Sequence, residues 1–265
     1  MQRITAITPT ICRLMDVPPP NLSTMDTLKR IVEISSGVLR GSVVEKCLIY
    51  APDAIGEWLF QEYRTEFEPV TRLAPIDVKL LSVFPTKTPV CFASMFTGAL
   101  PEQHGIRRYE KPVLTCDTII DAMIREGKSG AIAAVADSSI SLIFKNRAID
   151  YFIEENDRKV NEKALDLVGS DYDFILIYNQ EYDDSMHRTT PRSEESLAAM
   201  GRHISSFVEL SEAFFERYGD FNLVILFSPD HGTHINPETG RGDHGLDIPE
   251  DMEVRSFWGI YKAAG

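Results

Sequence analysis

Short aliphatic and β-branched runs recur at residues 47–51, 78–84, 131–136, 174–178, 223–227 and 254–261. Most are continuous rather than alternating, as expected of strands covered on both faces. Between them, apolar positions at helical spacing predict helices at 25–36, 57–63, 118–126, 161–167 and 193–218. Strands alternating with helices predict an α/β fold, a three-layer sandwich whose largely parallel central sheet is flanked by helices. No internal repeat or low-complexity linker interrupts the pattern. The run Pro18, Pro19, Pro20 reads as a turn. A single domain over 1–265 is expected.

In open parallel sheets, functional groups gather at the carboxyl ends of the strands. Asp53 directly follows the first run, and Thr88 follows the second. Asp183 and His187 come after the run ending at 178, and Asp230 and His231 after the run ending at 227. His244 lies in the loop Gly240-Arg241-Gly242-Asp243-His244-Gly245 before the last run. Each has an ordinary alternative. An aspartate after a strand is often a turn former or a helix cap. Glu181, Asp183 and Asp184 together could form a solvated polar loop, and a lone histidine is more often core or surface. The set argues otherwise: six Asp and His side chains fall at strand ends or in one loop, in a chain with six histidines. Imidazole nitrogen and carboxylate oxygen are the donors zinc accepts, about four per ion. Two ions about 4 Å apart can clamp the attacking and leaving oxygens of a phosphoryl transfer. Thr88 stands just before a predicted helix at 89–97, where Pro89 costs no hydrogen bond and free N–H groups favour an anion.

The chain has 265 residues, 43% hydrophobic and 25% charged, enough for a large core. Its formal charge of −13 argues against a nucleic-acid polymer or an anionic membrane as partner. Bound divalent cations could still receive a small phosphate-ester substrate. Cys12, Cys47, Cys91 and Cys116 form no CxxC pair, which fits reduced thiols. With no apolar run of signal-peptide or membrane-span length, a cytoplasmic location is expected.

The stretch Thr88-Pro-Val-Cys-Phe-Ala-Ser-Met-Phe-Thr-Gly98, continued by Pro101-Glu-Gln-His-Gly-Ile106, resembles the alkaline phosphatase superfamily. It is most similar to the branch of type I phosphodiesterases and nucleotide pyrophosphatases. The likeness continues through Asp183-x-x-x-His187, Asp230-His231-Gly232 and His244-Gly245, so it spans residues 53–245. It implies an alkaline-phosphatase-like fold and a hydrolase of phosphoric esters with Thr88 as nucleophile. It implies one divalent ion held by Asp53, Thr88, Asp230 and His231. A second would be held by Asp183, His187 and His244. Zinc is the first expectation, with manganese or iron compatible. A phosphomutase or a phosphonate hydrolase could use the same two-metal site, and a non-catalytic metal-binding protein is the further alternative.

His104 belongs to the signature without being a ligand and reads as structural. His203 reads as a solvated helix residue, and His234 as a group behind the ligands. Cys91 stands where many relatives carry an asparagine that helps hold a phosphoryl oxygen, and reads as a small buried hydrophobe. Any substrate-selecting cap is confined to 107–155. Sulfatase chemistry is disfavoured, because Cys91 lacks the Cys-x-Pro-x-Arg context.

Overall fold

The structure is a computed structural model and describes residues 1–264. Its strands are β1 (Lys46–Pro52), β2 (Ile76–Leu81), β3 (Gly130–Val135), β4 (Asp150–Glu154), β5 (Phe174–Asn179), β6 (Leu223–Phe227), β7 (His234–Ile235), β8 (Gly242–Asp243) and β9 (Glu253–Tyr261). The first helices are α1 (Ile7–Leu14), α2 (Lys29–Leu39), α3 (Glu57–Glu62), α4 (Glu68–Leu73), α5 (Thr88–Thr97) and α6 (Pro101–His104). They are followed by α7 (Ile119–Arg125), α8 (Ser139–Ile143), α9 (Asp157–Val168), α10 (Glu181–Arg188), α11 (Glu194–Tyr218) and α12 (Pro249–Met252).

Seven strands form one sheet in the order β2-β9-β6-β1-β5-β3-β4. β1 pairs in parallel with β5 and β6, and β3 in parallel with β5 and β4. Within this sheet β9 alone is reversed, antiparallel to both β2 and β6. The carboxyl ends of the other six strands therefore share one edge, where β9 presents its amino end.

Every residue of β1, β5 and β6 is buried, which explains their unbroken apolar runs. Side chains alternate between two cores. Cys47, Ile49 and Ala51 meet residues of α1, α2, α5, α7 and α8, while Leu48 and Tyr50 meet residues of α9, α10 and α11. This is the three-layer α/β sandwich expected from the hydrophobic pattern.

Several boundaries differ from expectation, and one strand was not predicted. The second strand ends at Leu81 rather than 84, so the chain leaves the sheet well before Thr88. The helix expected from residue 25 starts at Lys29, because Met25 takes a positive φ of 62° that a helix cannot contain. β4 carried no continuous apolar signal because it is a half-exposed edge strand. Within 107–155, residues 119–125, 130–135, 139–143 and 150–154 build α7, β3, α8 and β4. Among the described residues, no helix is long and apolar enough to cross a membrane.

Candidate metal centre

The shared sheet edge collects two groups of donors. Asp53 leaves the end of β1, tied by its amide N–H to the Asn179 carbonyl at 3.0 Å. Asp230 and His231 follow β6. One donor atom from each of Asp53, Asp230 and His231 lies within 4.8 Å of the others. His231 Nε2 is 3.5 Å from Asp53 Oδ1 and 3.3 Å from Asp230 Oδ2. The second group joins Asp183 and His187, one turn apart on the same face of α10, to His244 after β8. Asp183 Oδ1 is 3.5 Å from His187 Nε2 and 3.4 Å from His244 Nε2. Thr88, the first residue of α5, places Oγ1 3.3 Å from His231 Nε2 and 3.5 Å from Asp53 Oδ1. All seven sequence-predicted residues therefore meet at one edge. Asp183 and His187 sit on a helix rather than a polar loop.

The three imidazoles are oriented alike. His231 Nδ1 faces Gly232 O at 3.0 Å, His187 Nδ1 faces Gly242 O at 3.1 Å, and His244 Nδ1 faces Thr86 O at 2.6 Å. A carbonyl only accepts, so each Nδ1 carries the proton and each Nε2 turns a lone pair toward the carboxylates. Tyr178 donates its hydroxyl proton to Asp53 Oδ2, leaving Oδ1 facing Thr88 and His231.

These donors fit bound cations. Asp183 Oδ1 and Asp230 Oδ2 are buried and have no hydrogen-bond partner, a costly state unless something positive faces them. Burial first, then a neighbouring carboxylate, pushes the Asp53, Asp183 and Asp230 carboxyls well above their ordinary range. Burial also holds His231 far below the usual imidazole value, and His244 at about 3. Lys87 reaches this edge, but its ammonium donates to the His244 carbonyl and lies 3.8 Å from Asp243 Oδ1. Neutral imidazoles beside carboxylates that no lysine or arginine pairs are the donor set of a divalent metal.

A cavity of about 520 Å³ opens onto Thr88, Asp183, His187 and His244, with Lys87, Tyr109, Lys111 and Gln180 among its walls. A larger cavity of about 740 Å³ lies between α9, α10 and α11, but it contains neither Thr88 nor a complete donor group. The smaller one is therefore where the chemistry can occur. Sequence reading missed Lys87, Tyr178 and the rim residues Tyr109 and Lys111. The one usable signal was a tyrosine hydroxyl at the end of a buried apolar run.

The remaining histidines stand apart from the donors. His104 Nε2 bonds Ser94 Oγ on α5 at 2.8 Å, and its Nδ1 accepts the Ile106 N–H at 3.2 Å, fixing the turn after α6. His203 is not solvated: it is 1% exposed, bonded to the Tyr50 hydroxyl and accepting the Tyr182 N–H. It lies on the α11 face that packs against β1, which helical spacing alone did not distinguish from the outer face. His234 pairs through Nδ1 with Asp251 at 2.8 Å. Cys91 is fully buried, its sulfur lies 3.2 Å from the Ser82 hydroxyl oxygen, and burial pushes its thiol well up.

The fold is alkaline-phosphatase-like, as its similarity to the solved structures below shows. The sequence model of the type I phosphodiesterase / nucleotide pyrophosphatase family matches residues 75–112, from β2 through α5 and past α6. No curated protein sequence matches the chain significantly. Among solved structures, an inactive murine ectonucleotide pyrophosphatase/phosphodiesterase 5 in complex with AMP aligns at 16% identity and TM-score 0.55. That alignment covers 73% of this chain and 59% of the murine one. The human counterpart aligns at 18% identity and TM-score 0.55, over 73% of this chain and 58% of its own. Phosphonoacetate hydrolase from Sinorhizobium meliloti, bound to phosphonoformate, aligns at 15% identity and TM-score 0.57, over 75% and 59%. This chain thus spans about three-fifths of the length of these structures, and the likeness establishes the fold.

Proposed function

We propose that this chain is a metal-dependent hydrolase of phosphate esters, with Thr88 as nucleophile between two divalent cations. One observation carries the reading: two donor groups, each with a buried carboxylate oxygen that has no partner, meet beside the hydroxyl of Thr88. Asp53, Asp230, His231 and Thr88 Oγ1 would hold one cation, and Asp183, His187 and His244 the other. Zinc suits both groups, as do manganese and iron. When bound, the cations supply positive charge that acidifies a hydroxyl and offsets phosphoryl charge.

The residues themselves divide the work. Tyr178 holds Asp53 so that Oδ1 faces Thr88. Lys87 and Lys111 line the cavity and favour an anionic substrate. Thr88 Oγ1 forms a bond to phosphorus as the bond to the leaving oxygen breaks. The proton lost by Thr88 is balanced by one gained on that oxygen. Water then attacks the phosphothreonine, the Oγ1–phosphorus bond breaks, and the hydroxyl is restored. Four cysteines, none in a disulfide, support a reducing and hence cytoplasmic setting.

The test is a metal assay of the purified chain together with aryl phosphate monoesters and diesters. The expected result is metal-dependent release of the aryl alcohol. No turnover of any ester with zinc, manganese or iron would sink the reading.

A further inference from the structure

Asp251 belongs to neither donor group, yet it touches the loops of both. Its carboxylate is fully buried on α12. Oδ1 pairs with His234 Nδ1 at 2.8 Å, and Oδ2 accepts the N–H groups of Gly245 and Leu246, each at 2.8 Å. Its backbone carbonyl accepts the Gly232 N–H at 2.8 Å. Gly232 directly follows His231, and Gly245 directly follows His244. The contact has no slack: a Cβ on Gly232 would stand 2.0 Å from the Glu250 carbonyl. His231 and His244 come from different donor groups, and their rings stack with centroids 4.1 Å apart.

We propose that Asp251 is a positioning residue that sets the separation of the two cations by binding the His231 and His244 loops to one point on α12. The inference rests on the two-cation reading above. Two paired loops fastened to one buried carboxylate and its own carbonyl cannot drift apart independently. A clamp on attacking and leaving oxygens depends on that spacing. His234 completes the carboxylate's bonding, which gives this histidine a role outside the donor groups.

Manganese alone is the probe. The full chain, stripped of metal, is titrated with manganese(II), and electron paramagnetic resonance reads the magnetic coupling between neighbouring ions. Wild type is expected to bind two manganese ions per chain with a coupled spectrum. Asp251→Ala should weaken manganese binding by about 10–100-fold, the usual effect of removing a group that supports ligands, and should lose the coupled signal. Asp251→Asn should keep it, because the amide oxygen can still accept the Gly245 and Leu246 N–H groups. His234→Ala, which leaves those two bonds in place, should keep it too. If the alanine variant does not fold, Asp251→Ser takes its place with the same expectation. A folded alanine or serine variant with unchanged affinity and coupling overturns the role of Asp251. A wild-type chain that binds fewer than two manganese ions overturns the two-cation reading itself, and this inference with it.

Discussion

The two donor groups use the same chemistry in different surroundings. Asp53, Asp230 and His231 are almost wholly inside the protein, on segments pinned between β1, β5 and β6. Asp183 and His187 stand on a short helix at the cavity wall, where the His187 side chain is 39% exposed. On the two-cation reading, the first group is a closed seat that a cation would reach only by shedding its water. The second remains open to solvent and to substrate. Thr88 sits against the closed group, so the proposed nucleophile would be held among the most buried donors, with the open group on the side where ligands could exchange.

The largest effect expected from this contrast concerns Thr88. Thr88→Ala should lower turnover by roughly 10³-fold or more, while elemental analysis still finds two metal ions per chain. Full activity in that variant would remove the nucleophile assignment and the reason for the closed group's rigidity. Next comes exchange. A chelator in excess should withdraw metal in two phases, the fast one from the open group, as followed by a colorimetric indicator in a stopped-flow mixer. His187→Ala should abolish the fast phase and leave the slow one, and a single phase in the wild type would erase the distinction.

A smaller effect separates buried donors from a merely buried histidine. Burial lowers His203 to about 4 from its ordinary 6.5, so the unfolded chain binds its proton more readily. The stabilising contribution is complete above about 6.5 and is lost as the pH falls toward about 4. In urea unfolding of the metal-free chain, wild type should therefore lose up to about 3 kcal/mol more than His203→Gln over that interval. Equal pH dependence in the two proteins would contradict it. The least effect is expected at Cys91, which is fully buried beside Ser82 and is not among the cavity's lining residues. Cys91→Ala should cost about 1 kcal/mol of stability and leave kcat within about twofold of wild type. A large fall in kcat would instead draw the thiol into the chemistry.

Much of this architecture was legible in the sequence, for a simple physical reason. Strands buried on both faces need unbroken apolar runs, and five of the six runs read from the pattern overlap strands almost residue for residue. Their carboxyl ends then locate Asp53, Asp183 and Asp230 without further information. The parts that escaped lack such a signature. α10 reads Glu-Tyr-Asp-Asp-Ser-Met-His-Arg, too short and polar for a helical stripe, yet it presents Asp183 and His187 together. β4 is an edge strand with mixed exposure. His203 and Asp251 are polar residues made internal by tertiary packing, and local composition carries no mark of that. Tyr178 ended an apolar run, and its hydroxyl was the one polar mark there, but its partner appeared only when folding brought Asp53 to it.

The reversed strand β9 has a consequence for how the site comes into being. Because it enters the sheet at the functional edge, the short helix just before it delivers Asp251 to the loops that carry His231 and His244. During synthesis the two histidine loops emerge before the strand that anchors their support. The donors themselves meet across long sequence separations, as Asp53 does with His231, and such contacts form slowly. A growing chain that has reached α10 can already pair β1 with β5, but it still lacks the donors that follow β6 and β8. On the two-cation reading, neither donor group is complete until the chain has passed His231, so metal capture would follow the pairing of β1 with β5 and β6 rather than start it.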